Sequence, residues 1–294
     1  MGTVQVPIGL ICCNMATRTY EGIKIDINGV LPVTDPLTVE EALQIGINGK
    51  PFTLTMRTPG ADEELIRGML HCEAVLNDPH FHPEVVLRKE NEQGIVTEVN
   101  LQVPEALLGI GYSNSRSLLS VSSCGICGKT ELGQQGFEGP ALEGTTRFPA
   151  AIFTEMFARM NQRQHDFNQS GGTHAAAIFD ADGQLLVARE DIGRHNAVDK
   201  AVGRLLLDGR LSRACAMTVS GRISYEITIK AFKAGIPFLA AVSAPSSLAV
   251  DYAKELGITL LGFCREGRAT CYSHPERITN PRAAATRTKA SRHV

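Results

Sequence analysis

An α/β protein, with a small α+β domain ahead of a partly parallel sheet covered by helices on both faces, is predicted by three features of the sequence. A hairpin pattern turns on Asn48-Gly49; a run of strand-like segments alternates with helix-like ones from about Pro149; and 294 residues at 43% hydrophobic content can bury one or two ordinary cores.

Taken in order, EEALQIGINGKPFTLTMR alternates on each side of Asn48-Gly49, a pair that tolerates positive φ, and so forms a hairpin. Pro59-Gly60 breaks the strand, and ADEELIRGMLHCEAVL follows with acidic residues in its first turn and apolar residues at helical spacing. EVVLRKENEQGIVTEVNLQVP then reads as two strands around a polar Gly turn. FPAAIFTEMFARMNQ opens the second half as a helix with Ile152, Met156, Phe157 and Met160 on one face. THAAAIFDADGQLLVAR makes a hairpin over Asp182-Gly183, and a helix begins after Asn196. Strand ACAMTVS, helix ISYEITIKAFKAG, strand IPFLAAVS, helix SSLAVDYAKEL and strand ITLLGF complete the series, with RATCYS as a last strand. Val219, Leu239, Val242 and Leu260 are expected in the strand core. This order implies an extension at 1–39, an α+β domain at 40–145, an α/β domain at 146–280 and a basic, frayed tail at 281–294.

A formal charge of -2 supplies no field for wrapping nucleic acid, and no apolar run reaches membrane-spanning length. The N-terminus lacks the basic leader of a secretory signal, and Val6 stands where a myristoylation signal needs Ser or Thr. Eight cysteines without such a signal read as reduced thiols, so the expected compartment is the cytoplasm.

Cys124 and Cys127 lie in SSCGICGK, flanked by Gly125 and Gly128. Zinc would need four ligands, and the other cysteines are scattered at 12, 13, 72, 215, 264 and 271. A redox dithiol is a second reading, although the motif lies in a Ser- and Gly-rich loop rather than at a helix start. A thiolate carrying a persulfide fits best: the glycines let the loop swing and Lys129 favours the ionised thiol.

Ligand-binding chemistry in such a sheet is expected at the carboxyl ends of its strands. GGTHAAAIFD places His174 at the mouth of a strand. AREDIGRHNAVDK gathers Arg189, Glu190, Asp191, Arg194, His195, Asn196, Asp199 and Lys200 around Gly193, which reads as a polar wall for a charged ligand. VSGRISYE and VSAPSSLAV each end a strand in Ser, at Ser220 and Ser243, and start a helix with hydroxyls, Ser246 among them. With Arg222 the pair reads as an anion pocket. GFCREGRATCYSHPERI offers Phe263 for stacking on a flat base and Arg265 and Arg268 for phosphate, around Gly267.

The series RTPG, CGICG, GGTHAAA, REDIGRHNAVDK, SGRISYE, SAPSSLAV and GFCREGRATCYSHPERI resembles the formate dehydrogenase accessory sulfurtransferase family, FdhD, from about residue 40 to 280. The resemblance implies a cytidine-deaminase-like three-layer α/β/α core without the deaminase metal, since His174 is followed by Ala175-Ala176 instead of completing His-x-Glu. It implies that sulfur from a cysteine desulfurase is passed to a bis-molybdopterin guanine dinucleotide cofactor, carrying Mo or W, for formate dehydrogenase. Cys124 matches the persulfide-bearing cysteine and Cys127 its partner thiol. Phe263, Cys264, Arg265, Glu266, Gly267 and Arg268 match the cofactor-binding segment, GDP or GTP being surrogate ligands. A homodimer is expected, because two guanine dinucleotide arms suit two sites. The sequence departs from the family at Ala74, where Gly is usual, and at Cys271, where an aliphatic residue is usual. Competing readings are a cofactor-binding chaperone for formate dehydrogenase that moves no sulfur, and a zinc nucleoside deaminase.

Overall fold

The computed structural model describes residues 16–78, 80–115 and 140–279. The loop with Cys124 and Cys127 and the tail after Pro281 lie outside the described residues.

The stretch expected as an N-terminal extension contains a hairpin, β1 (Thr17–Asp26) and β2 (Gly29–Thr38), antiparallel and joined to no larger sheet among the described residues. Next come β3 (Glu41–Ile47) and β4 (Lys50–Arg57), whose turn holds Asn48 at φ 53° and Gly49 at φ 74°. Positive φ at both positions is what a type I′ hairpin turn demands. Helix α1 (Asp62–Cys72) and strands β5 (Glu84–Glu90) and β6 (Val96–Gln102) complete a four-stranded sheet of order β4-β3-β6-β5, with β3 and β6 parallel. Leu43, Ile45, Leu65, Leu70, Val99 and Leu101 form its core. Ala74, just past α1, sits at φ 53°, a conformation that favours glycine. Helix α2 (Ile110–Ser115) ends this unit.

In the second unit, β7 (Phe148–Pro149) precedes α3 (Ile152–Asn161) and the short α4 (His165–Ser170), an element that the apolar pattern does not announce. Phe153, Met156, Phe157 and Met160 of α3 are buried, whereas Ile152 is half-buried. The buried face is rotated toward Phe153 from the one expected. Strands β8 (His174–Phe179) and β9 (Leu185–Asp191) form the hairpin over Asp182-Gly183. Helix α5 (Arg194–Leu207) starts before Asn196. Then follow β10 (Ala216–Val219), α6 (Tyr225–Lys233), β11 (Phe238–Ala241), α7 (Ser247–Glu255), β12 (Thr259–Arg265), β13 (Arg268–Cys271) and β14 (Ile278–Thr279). The sheet order is β13-β12-β11-β10-β8-β9; β10, β11 and β12 are parallel, flanked by antiparallel β8 and β13. β14 pairs with β7, closing the unit's ends on each other.

Alternation along the strands divides the sheet between two cores. Ala176, Ile178, Met217, Val219, Leu239 and Leu260 face α5, α6 and α7; Ala177, Phe179, Ala216, Phe238, Ala240 and Leu261 face α3. Val242 is only partly buried, because it already stands past the end of β11.

The units meet along α1 and α5, where glycines let the backbones touch. A Cβ on Gly68 would stand 1.9 Å from the Asp199 carbonyl oxygen, and one on Gly203 would stand 1.8 Å from that of Glu64. Beside this seam, Thr58 of the RTPG segment donates its amide to Asp191 and accepts the Ile192 amide, while Lys200 donates to the Thr58 carbonyl (2.8 Å) and pairs with Asp191 (2.7 Å). Fully buried Arg57 is held by Asp62 and the carbonyls of Glu41 and Val96.

Most of the charge in AREDIGRHNAVDK is consumed by internal partners, at this seam and within the second unit, which corrects the expectation of a ligand-facing wall. Arg189 pairs with Glu64; Glu190 accepts the Asp166 and Phe167 amides at the start of α4; Asn196 donates to Asp191; and Asp199 pairs with Lys230 at 2.7 Å. Buried charges need partners, and Glu64 and Thr58 across the seam, with α4 and Lys230 within the second unit, supply them.

Candidate functional site at the carboxyl ends of the strands

Because β8 runs antiparallel to β10 and β9, the start of β8 lies at the same rim as the ends of β9, β10, β11 and β12. His174, Arg194, Ser220, Ser243 and Phe263 therefore gather from five separate segments. The loops after β10 and β11 are stitched together: Ile223 donates its amide to the Ala244 carbonyl (3.2 Å) and Ser246 to the Ile223 carbonyl (2.9 Å). Phe263 adds the third loop by donating to the Ser243 carbonyl at 3.1 Å.

The serines are mostly committed to this framework. Ser220 Oγ accepts the Ala175 amide at 2.9 Å, and Ser246 Oγ caps α7 by accepting the Ala249 amide at 3.2 Å. Ser224, at the cap position of α6, makes no side-chain bond to its own helix; its hydroxyl lies 3.2 Å from His195 Nε2. Glu226 Oε2 lies 2.9 Å from the same nitrogen, so the largely buried imidazole and carboxylate form a pair at the α5–α6 junction.

His174 approaches the glycine of the SGRIS loop closely: a Cβ on Gly221 would stand 3.3 Å from His174 Nδ1 and 3.5 Å from the Arg194 Cβ. Burial pushes the His174 pKa below its ordinary value, and the charges of Arg194, His195 and Arg222 push it the same way. The Asp191 carboxylate opposes them, and the net lowering favours a neutral imidazole beside the Arg194 and Arg222 guanidinium groups. Arg194 Nε and Glu226 Oε1 are buried with no hydrogen-bond partner among the described residues. Sequence reasoning placed Arg194 in the polar wall around Gly193 and passed over Ser224 and Glu226, whose partner His195 belongs to another helix.

At the far side of the rim, the register of β12 against β13 shifts between Gly262 and Arg265. Phe263 takes φ 55° there and turns outward, 39% exposed. Cys264 turns inward among the residues facing α3, away from the rim, and burial pushes its thiol up to about 12. Glu266 and Gly267 form the two-residue tip, both at positive φ, and exposed Arg268 pairs with Glu266. Arg265 also points outward.

The remaining described thiols are shifted in the same direction. Burial raises Cys215 and Cys271, and raises Cys72 well above its ordinary value beside the Asp199 carboxylate. The reactive species in sulfur chemistry is the thiolate, so none of these four is suited to carry it. Among the described residues no three His, Cys, Asp or Glu side chains gather as metal ligands, and no helix is long and apolar enough to cross a membrane.

Residues 38–279 match the model of the FdhD/NarQ family. A protein named sulfur carrier protein FdhD from Streptomyces coelicolor is 41% identical over 283 residues, covering 89% of this chain and 95% of its own. Its namesake from Saccharolobus solfataricus is 41% identical over 265 residues, covering 89% and 98%. The fold is similar to a crystal structure from Desulfotalea psychrophila described as a candidate formate dehydrogenase accessory protein, with a TM-score of 0.67 at 21% identity over 90% of this chain and all of that one.

Proposed function

This chain belongs to the FdhD/NarQ family, and from that premise we propose that it is a cytoplasmic sulfur carrier required for formate dehydrogenase activity. The observation that carries the reading is the name sulfur carrier protein on relatives aligned along nearly the whole chain. The state of the described cysteines supports it, because burial raises the pKa of Cys72, Cys215, Cys264 and Cys271 and so disfavours their thiolates, and of the other four, Cys12, Cys13, Cys124 and Cys127, the last two make the glycine-flanked C-x-x-C motif.

In this reading the Cys124 thiolate attacks the outer sulfur of a persulfide on a cysteine desulfurase. The donor's sulfur–sulfur bond breaks, its cysteine leaves as a thiolate, and Cys124 keeps the extra sulfur with no net oxidation. Cys127 is the partner thiol. The acceptor is the metal of a bis-molybdopterin guanine dinucleotide substrate held at the rim described above. The guanidinium groups of Arg194 and Arg222, the stitched loops and outward Phe263, Arg265 and Arg268 suit a ligand of flat rings and phosphates. His174, His195, Ser220, Arg222, Ser243 and Ser246 frame the same rim, with Arg194 added. The six-stranded sheet between two helical layers supports a cytidine-deaminase-like reading of the core. Two dinucleotide arms favour two copies of the chain working together.

Mass spectrometry of the protein after incubation with a cysteine desulfurase and cysteine tests the sulfur step. One added sulfur on Cys124 is expected, lost in Cys124→Ala together with formate dehydrogenase activity. Full dehydrogenase activity with Cys124→Ala would leave a carrier that binds the cofactor without moving sulfur.

A further inference from the structure

Of the thirteen exposed large hydrophobic residues among the described residues, seven lie between Tyr20 and Leu37, so the hairpin β1–β2 carries most of the uncovered apolar surface described. Ile23 is 66% and Ile25 77% exposed. Among the described residues the hairpin's side-chain hydrogen bonds to the rest of the protein lie near its base: Thr17 donates to Gln169, Thr38 meets Ser170 at 2.6 Å, and Arg18 donates to Gln93 at 2.6 Å. Neither long edge pairs with another strand among the described residues. Two strands alone are marginal in water, and a third or fourth strand with a shared apolar face is the usual remedy.

The two edges are not equivalent. Pro32 stands opposite Ile23 and Pro36 opposite Thr19. Proline has no amide to donate, so these are the non-hydrogen-bonded pairs of the ladder, where backbone groups point outward. The outer edge of β2 is therefore broken twice, as in edges protected against pairing. On β1 the outward groups belong to Thr19, Glu21, Ile23 and Ile25, all able to donate and accept.

We propose that the open edge of β1 pairs antiparallel with the β1 edge of a second copy of this chain, centred on Gly22, making a four-stranded sheet across a twofold axis. The occupant is chosen by self-complementarity. Centred on Gly22, Arg18 faces Asp26 of the second copy and Tyr20 faces Lys24, each twice by symmetry. A register centred on Glu21 would set that carboxylate against itself, and one centred on Lys24 would oppose two ammonium groups. With Gly22 at the axis, Ile23 of each copy lies diagonally beside its mate, and the two apolar faces become continuous. This surface rests on the two-copy part of the proposed function for its setting and is independent of the sulfur chemistry.

The full chain decides it by light scattering and crosslinking. Wild type should be dimeric at micromolar concentration. Ile23→Pro, which removes an outward amide and leaves the internal ladder intact, should raise the dissociation constant at least about tenfold. Arg18→Glu and Asp26→Lys should each do the same alone, and an equimolar mixture should dimerise like wild type, since both cross-strand pairs are then attractive. That rescue controls for the contacts with Gln93 and the β1–β2 turn that the two substitutions disturb. Gly22→Cys should give a covalent dimer on mild oxidation beyond any seen for wild type; the added Cβ meets only Val33, at 3.7 Å. A monomeric wild type, or a dimer indifferent to Ile23→Pro and uncrosslinked by Gly22→Cys, overturns the proposal. Persulfide formation on Cys124 in the same samples reports separately on sulfur transfer.

Discussion

Whether a residue serves the candidate site depends on what its side chain is already bound to. Arg268 and Glu266 form an exposed pair, which contributes little and yields readily to a better partner. A phosphate is such a partner, so Arg268→Ala should weaken GDP binding by about 1.5 to 3 kcal/mol if one charged hydrogen bond is lost. Glu266→Gln should strengthen it, by freeing the guanidinium and removing a like charge. Isothermal titration with the three proteins reads both signs, and equal affinities would remove the hairpin tip from the site. Lys200 and Asp191 illustrate the opposite case. Their charges looked available in the sequence, yet each is buried against the other and against Thr58, and is spent on joining the two units.

Among the elements, the α1–α5 seam is the one whose packing depends most on missing side chains. Gly203→Ala would drive a methyl group to within 1.8 Å of the Glu64 carbonyl oxygen, and the neighbour is helix backbone that cannot rotate away. The helices must separate, so a loss of about 1–3 kcal/mol or more is expected, visible as a lower urea midpoint. An unchanged midpoint would mean that the seam is looser than these contacts require. The same separation would pull Arg189 from Glu64 and strain the Thr58–Lys200 contact, so the start of α5, which presents Arg194 and His195 to the rim, should shift with it. The glycines themselves are plain in the sequence. Their role is not, because it takes two helices from different units to make either one indispensable.

For the molecule as a whole, two half-buried histidines set an acid limit. His71 donates Nε2–H to the Lys233 carbonyl across the α1–α6 contact, and burial first, then the charges of Arg67 and Lys233, push its pKa below 6.5 despite that bond. His174 is lowered as well, again first by burial. A folded pKa below the unfolded one means that the unfolded chain takes up protons first. The stabilisation is complete above about pH 6.5 and is lost as the pH falls from there through the folded values. Asp166, raised by burial, works in the opposite direction, from a carboxylate range that starts near 3.8. Urea midpoints should therefore fall between about pH 7.5 and about pH 5.5, and fall less in a His71→Gln, His174→Gln double variant. Parallel pH dependence in both proteins would clear these histidines.

By itself the sequence determined most of the series of elements from Glu40 to Cys271, the short α2, β7 and α4 excepted, because alternation, helical spacing and turn pairs such as Asn48-Gly49 are local and act within a few residues. It also marked the loops that line the rim, since a strand ending in Ser before a helix start is a local pattern too. The β1–β2 hairpin escaped because its apolar residues fall on both faces and are interrupted by Pro32 and Pro36, so no buried side could be read from them. Tertiary structure decided which charges of AREDIGRHNAVDK face the rim and which close the seam, turned Cys264 inward at a register shift, and set Glu226 beside His195. Each of these depends on contacts between segments far apart in the chain, where burial and electrostatics choose the partner and no local spacing announces it.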